Sequence, residues 1–231
     1  MWLQQGGRQE KSFNRAGWQV GCVGSSGLLV DPDQPNRFHP MPATDPHFEH
    51  ADEDLWVFGY GSLMWRPGFE ALERVPARLI GAHRALCVWS HVHRGSPERP
   101  GLVLGLDFGG MCRGIAYRVA ASARKSTIEY LRAREQVTMV YRECVRPVVL
   151  FSHPERRVQG LCYMVDRSHP QYAGRLKLAE QLHHVRQGHG ISGQNRDYVL
   201  AAVKELETLG CHDRDLHMLA ERLHGVHEAH A

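Results

Sequence analysis

The sequence predicts an α+β domain built on a closed or strongly bent sheet, antiparallel or mixed. From residue 54 onward, five or six strand-like runs rich in β-branched and aromatic residues follow one another, separated mostly by turns. Helical periodicity appears only between and after those runs. The chain has 231 residues, 42% hydrophobic and 23% charged, which suits one sizeable core of an ordinary globular protein.

Taken in order, residues 1–53 are rich in Gly, Gln, Ser and Pro, carry the proline-laden "DPDQPNRFHPMP", and read as a disordered N-terminal extension. Met41 opens a short polar lead into the first strand, so the residues before it read as an upstream start-codon assignment. A peptide spanning Met41 from natural cells would refute that. Residues 18–30 follow Arg8, Lys11 and Arg15 but are diluted by glycine and serine, and no clear small-x-small site follows, so a secretion signal is not assigned.

The first strand covers residues 55–60, and "RLIGAHRALCVWS" at 78–90 gives a second, bent at Gly81. "GLVLGLDF" and "CRGIAYRVA" flank Gly109-Gly110, a hairpin signal with Ile115, Tyr117 and Val119 alternating on one face. "VRPVVLF" and "VQGLCYMVD", joined by the polar "SHPERR", form another hairpin. Ser126-x-x-Glu129 has the capping-box pattern and opens a helix over "IEYLRAREQVTMVY". Further helices are expected at 176–186, after Asn195 with Val199, Val203, Leu206 and Leu209 on one stripe and Gly210 as the stop, and at 213–224 with Leu216, Leu219 and Leu223 inward. The domain so defined covers residues 54–226, with 227–231 as a tail.

Composition excludes several function classes. A formal charge of +3, with basic residues spread along the chain, does not suit nucleic acid. The apolar runs are too short for a membrane span. Six cysteines without a C-x-x-C pair suggest neither a zinc ribbon nor a disulfide framework; reduced thiols in the cytoplasm fit. His183, His184, His189, His217, His224, His227 and His230 show no zinc-enzyme spacing with a carboxylate and read as surface residues, so no metal is expected. No nucleophile elbow, phosphate-binding lysine loop or dinucleotide fingerprint occurs. A small-molecule substrate remains.

Two features could carry chemistry. Gly59-Tyr60-Gly61-Ser62 ends the first strand with two glycines one residue apart, which lets successive backbone amides point at one bound anion; a tight structural turn is the other reading. On the helix opened at Ser126, the residues Ile128, Leu131, Glu135 and Met139 share a stripe, so a carboxylate occupies a face that should meet the core. Glu135 is then either half of an internal ion pair, with Arg132 or Arg142 as partner, or a general acid/base whose pKa burial raises.

"VFGYGSLMWRPGF", "HRGSPERPGLVLGLD", "CRGIAYRV", "YLRAREQVTMVYRE", "DRSHPQYAG" and "GISGQNRDYV", in this order over residues 55–225, resemble the ChaC-type, glutathione-specific γ-glutamylcyclotransferases in their bacterial form. The resemblance implies a γ-glutamylcyclotransferase-like mixed β-barrel with flanking helices. It implies glutathione as substrate, converted to 5-oxoproline and cysteinylglycine when the γ-glutamyl α-amine attacks its own γ-carbonyl, and it requires no cofactor. Glu135 matches the family's catalytic glutamate, and the loop Val57, Phe58, Gly59, Tyr60, Gly61, Ser62 and Leu63 its glutamyl-binding loop. Arg94 and Tyr141, the latter one helical turn beyond Glu135, are positioning candidates with structural roles as the alternative. Where animal relatives have an arginine, this chain has Leu102, which leaves recognition of the glycine carboxylate unassigned. Cleavage of other γ-glutamyl peptides or amines, and a non-catalytic role as a binding regulator of cation transport, are the competing readings.

Overall fold

The computed structural model describes residues 52–224; the extension up to residue 51, the Met41 start and the tail lie outside the described residues. Its elements are β1 (Leu55–Gly59), β2 (Glu73–Ser90), β3 (Gly101–Val119), α1 (Arg124–Glu135), β4 (Tyr141–Leu150), β5 (Arg156–Val165), α2 (Leu178–Gln187), β6 (His189–Gly190), β7 (Gly193–Gln194), α3 (Asn195–Thr208) and α4 (Arg214–His224).

Strands β1 to β5 close into a barrel in the order β1-β3-β2-β4-β5. Every pairing is antiparallel except β1 with β5, which run parallel and seal the cylinder. Closure leaves no open edge among these five strands, and it buries both the short apolar β1 and its neighbours. Phe58, Leu79, Leu106, Ile115, Leu161 and Tyr163 are all but inaccessible. The inward faces of α3, through Val199 and Leu206, and of α4, through Leu216, Leu219 and Leu223, join the same core. Each such side chain contributes roughly 1.5–3 kcal/mol of hydrophobic stabilisation. No helix among the described residues is long and apolar enough to cross a membrane.

The structure corrects two local expectations. Gly109-Gly110 is not a hairpin turn: β3 runs straight through it, paired with β2 on both sides. The register jumps from Ile80↔Met111 to Ala82↔Phe108, and across the jump Gly81 (φ 87°) faces Gly109 (φ 95°) and Gly110 (φ 74°). A bulge that needs left-handed backbone uses the residue type that a hairpin turn uses, so the two look alike in sequence.

Helix α1 also differs. It starts at Arg124, with Ser126 inside its first turn donating back to the Ala123 carbonyl at 3.0 Å rather than capping it. It ends at Glu135, not at Tyr141, because the chain must turn to deliver Tyr141 into β4; Met139 takes φ 60° in that turn and is exposed. The reciprocal half of a capping box occurs instead on α2, where Glu180 accepts from the Lys177 amide at 2.8 Å.

Candidate active site

The site begins where β1 stops. After Gly59 the chain folds back into a 3₁₀ turn, Ser62–Met64, with the Met64 amide donating to the Gly61 carbonyl at 2.9 Å. A Cβ on Gly59 would stand 3.1 Å from the Leu63 Cβ, and one on Gly61 would stand 3.5 Å from the Tyr198 hydroxyl. Neither glycine has positive φ, so what Gly59 supplies is close approach, not unusual handedness, while a Cβ on Gly61 would make only an ordinary contact. The first amides of such a turn have no acceptor within it, which leaves them to a ligand or water. Below the turn, the Tyr117 hydroxyl shares its one proton between the Leu63 and Met64 carbonyls, each at 2.9 Å, and the Arg84 guanidinium donates to the Tyr60 carbonyl.

A cleft of about 580 Å³ opens beside this turn. That volume lies in the range of small-molecule sites. Tyr60, Gly61, Ser62, Leu63, Arg94, Glu135 and Tyr141 all line it, so one cavity gathers residues from four separate stretches of sequence. Val57, Phe58 and Gly59 do not line it: the first two are fully buried in β1 and hold the turn from beneath. The Tyr60 side chain is also buried, its hydroxyl donating to the Tyr163 carbonyl at 2.9 Å, so only its backbone and ring edge are placed to serve the cleft.

Glu135 occupies the last position of α1. Burial pushes its carboxyl above the usual carboxylate range, and the charge and hydrogen bond of Arg134 restrain part of that rise. Neither arginine expected from the sequence pairs with it. Arg132 pairs with Glu143 at 2.6 Å and Arg142 with Asp166 at 2.5 Å, while Arg134 Nε stands 3.1 Å from Glu135 Oε1. The same guanidinium donates to Ser62 Oγ (3.0 Å), to the carbonyls of Arg66 (2.6 Å) and Pro67 (3.2 Å), and to the Tyr130 hydroxyl (2.9 Å). Arg134 therefore ties the strand-end loop to the carboxylate, a role that sequence reasoning missed because neighbouring helical residues are expected to point apart.

Tyrosines line the remaining wall. Tyr141 opens β4, not a helical turn, and its hydroxyl donates to the Leu104 carbonyl at 2.9 Å. The Tyr198 hydroxyl, from α3, accepts from the Leu104 amide at 3.1 Å. Burial drives the hydroxyls of Tyr60 and Tyr141 well up and that of Tyr198 to about 12, with the Glu135 charge adding to each rise, so all three stay protonated at neutral pH. Tyr198 lies within the quoted "GISGQNRDYV", yet nothing in its helical setting distinguishes it from an ordinary core tyrosine. Among the described residues no three histidine, cysteine or acidic side chains converge as a metal site. The arrangement offers a carboxylate with a raised pKa, polar backbone and cationic side chains around a cavity of small-molecule size.

Comparison with known proteins agrees in extent. The family described as ChaC-like protein matches residues 55–228. The chain is 32% identical over 165 residues to the glutathione-specific γ-glutamylcyclotransferase of Escherichia coli (strain K12), covering 71% of each. It is 29% identical over 191 residues to the glutathione-specific γ-glutamylcyclotransferase 1 of Homo sapiens, covering 80% of this chain and 85% of that one. A crystal structure of the glutathione-specific γ-glutamyl cyclotransferase from yeast superposes with a TM-score of 0.68 at 22% identity, over 73% of this chain and 94% of that one, which shows a shared fold. With the barrel, the cleft and a match running almost the full length of the described domain, the chain belongs to the ChaC-like protein family.

Proposed function

We propose that the protein is a glutathione-specific γ-glutamylcyclotransferase, acting in the cytoplasm, where reduced thiols and glutathione occur together. The observation that carries this reading is one cleft holding both a partly buried carboxylate, Glu135, and the strand-end turn from Tyr60 to Leu63, in a chain about 30% identical to enzymes of that name.

The chemistry follows from the groups present. Ionised Glu135 takes a proton from the α-ammonium of the γ-glutamyl residue. The freed amine attacks the γ-carbonyl carbon, the new C–N bond closes a five-membered lactam, and the old amide C–N bond breaks. Glu135 returns the proton to the departing cysteine nitrogen and then relays to it the second proton that the new lactam nitrogen sheds, so glutathione becomes 5-oxoproline and cysteinylglycine, its new amine protonated, with no water consumed. Because nucleophile and electrophile share one molecule, holding a folded conformer is itself a rate effect of up to several powers of ten. The turn amides and Ser62 suit the α-carboxylate, and Arg134 couples that loop to the base. A raised carboxyl pKa brings the base nearer to neutrality, as proton transfer at physiological pH favours.

Other γ-glutamyl peptides form the second reading, since Glu135 and the turn address only the glutamyl half. A purely regulatory role gives no reason to keep a carboxylate desolvated at a cavity wall. Purified protein is incubated with glutathione and, separately, with γ-glutamylalanine, and 5-oxoproline is quantified by mass spectrometry. Product from glutathione alone is the expected result; product from both moves the assignment to a general γ-glutamyl enzyme, and none from either, in folded protein, sinks the enzymatic reading.

A further inference from the structure

The cleft carries cationic groups that the glutamyl half of the substrate does not require. Arg66 and Arg94 both line it, reaching it from the segment after the 3₁₀ turn and from the loop between β2 and β3. Neither side chain forms a salt bridge with a carboxylate among the described residues, although Arg74, Arg84, Arg118, Arg132, Arg134, Arg142 and Arg167 each do. Among the described residues Arg66 is anchored through its backbone: its amide donates to the Ser62 carbonyl at 2.8 Å and its carbonyl accepts from Arg134 at 2.6 Å. The Arg94 guanidinium carbon lies over the Tyr198 ring, 5.4 Å from its centroid, and Nη1 donates to the Gln194 carbonyl at 3.1 Å. Most of its N–H donors stay uncommitted.

The two guanidiniums also feel one another. Desolvation lowers the pKa of Arg94 most, and the Arg66 charge adds to that lowering, opposed by Tyr198 and Asp197. Two like charges gathered on one cavity without an anion are unfavourable by themselves and become favourable when an anion lies between them. Leu102, which stands where the resemblance places an arginine in animal relatives, does not serve: its side chain is fully buried and both its backbone groups are taken by Asn195, at 2.6 and 2.7 Å.

We infer that Arg66 and Arg94 form the subsite for the C-terminal carboxylate of the substrate, and that this pair confers preference for glutathione over γ-glutamyl compounds lacking that carboxylate. The inference rests on the reaction proposed above and deepens it. Arg94, preorganised and half-buried, is the principal contact; Arg66, exposed at the mouth, adds attraction that salt weakens.

The test pairs substrate and protein changes. kcat/KM is measured for glutathione and for glutathione carrying a glycine amide in place of the carboxylate, with the wild type, Arg94→Gln and Arg66→Gln. The wild type is expected to prefer glutathione by about 10- to 100-fold, the range for a hydrogen bond to a charged group. Arg94→Gln should bring that preference close to unity, and Arg66→Gln should reduce it by about 3- to 10-fold. Because the preference is a ratio within one preparation, partial unfolding of a variant cancels. Equal use of the two substrates by the wild type, or a preference unchanged in both variants, overturns the subsite while leaving the cyclotransferase reading intact. Absence of 5-oxoproline from both substrates overturns the reaction and the subsite together.

Discussion

Two carboxylates of this domain, Glu135 at the end of α1 and Asp107 in the middle of β3, are sheltered from solvent and handled in opposite ways. Burial raises the pKa of each. At Asp107 that rise is outweighed: Arg167 Nε and the Phe108 amide donate to Oδ1 at 2.7 and 2.8 Å, the Tyr172 hydroxyl donates to Oδ2 at 2.8 Å, and the group is held below the ordinary carboxylate range. At Glu135 only Arg134 opposes desolvation, and it shares its guanidinium with Ser62, Arg66, Pro67 and Tyr130, so the pKa stays raised. A satisfied carboxylate is a structural anchor. One left short of donors beside a cavity suits the general acid/base role proposed above.

That contrast is breakable by experiment. The largest effect is expected from Glu135→Gln, which should lower 5-oxoproline release by roughly two to four powers of ten, the range for losing a general acid/base. Its stability in urea at neutral pH should equal or exceed that of the wild type, because an uncharged isostere removes the desolvation of the carboxylate. The pH dependence sharpens the point. A carboxyl whose folded pKa is raised contributes stability below its unfolded pKa and loses it as pH rises through the folded value, so the advantage of Glu135→Gln should grow with pH. Asp107 has the opposite sign, its contribution being lost as pH falls through its depressed folded pKa.

Tyr60→Ala separates the turn from the residue within it. Its buried ring predicts a loss of about 3–5 kcal/mol in a denaturant titration, the cost of truncating a large core side chain. Normal stability would mean that the ring does not pack as described. Asp107→Asn should cost about 1–2 kcal/mol of stability with kcat/KM near wild type, since it strips charge from bonds remote from the reaction. A large loss of turnover in folded Asp107→Asn protein would erase the distinction between the two carboxylates.

Smaller shifts test the arginines. Arg134→Gln removes the cation that restrains Glu135, so the acid limb of the pH profile of kcat/KM should move to higher pH. A limb that stays put would leave Arg134 with only a structural role for the loop. Arg167→Gln is expected to change stability by less than about 1 kcal/mol, because that side chain is nearly half exposed and such pairs are screened by water.

The residues announce some of this unaided and conceal the rest. Period-two apolar runs and turns are local properties, so the alternation of Ile115, Tyr117 and Val119 and the stripes of α3 and α4 are legible without coordinates, as is the oddity of a carboxylate in line with Ile128 and Leu131. Glycine is ambiguous, because a bulge and a hairpin both demand left-handed backbone; only the pairing of β2 with β3 decides that Gly109 and Gly110 lie within one strand. The length of α1 is equally nonlocal, set by where β4 must enter the barrel. Ion-pair partners depend on side-chain direction over distances that sequence does not record, so Arg132 and Arg142 turn out to serve Glu143 and Asp166, and Arg134 takes Glu135. What the sequence by itself determined is the class of fold, where most strand-forming and helix-forming segments lie, and the two segments that could do chemistry, because each is written in neighbouring residues. Which cations meet in the cleft, Arg66 and Arg94 among them, was decided by closure of the barrel, which brings residues far apart in the chain to one cavity.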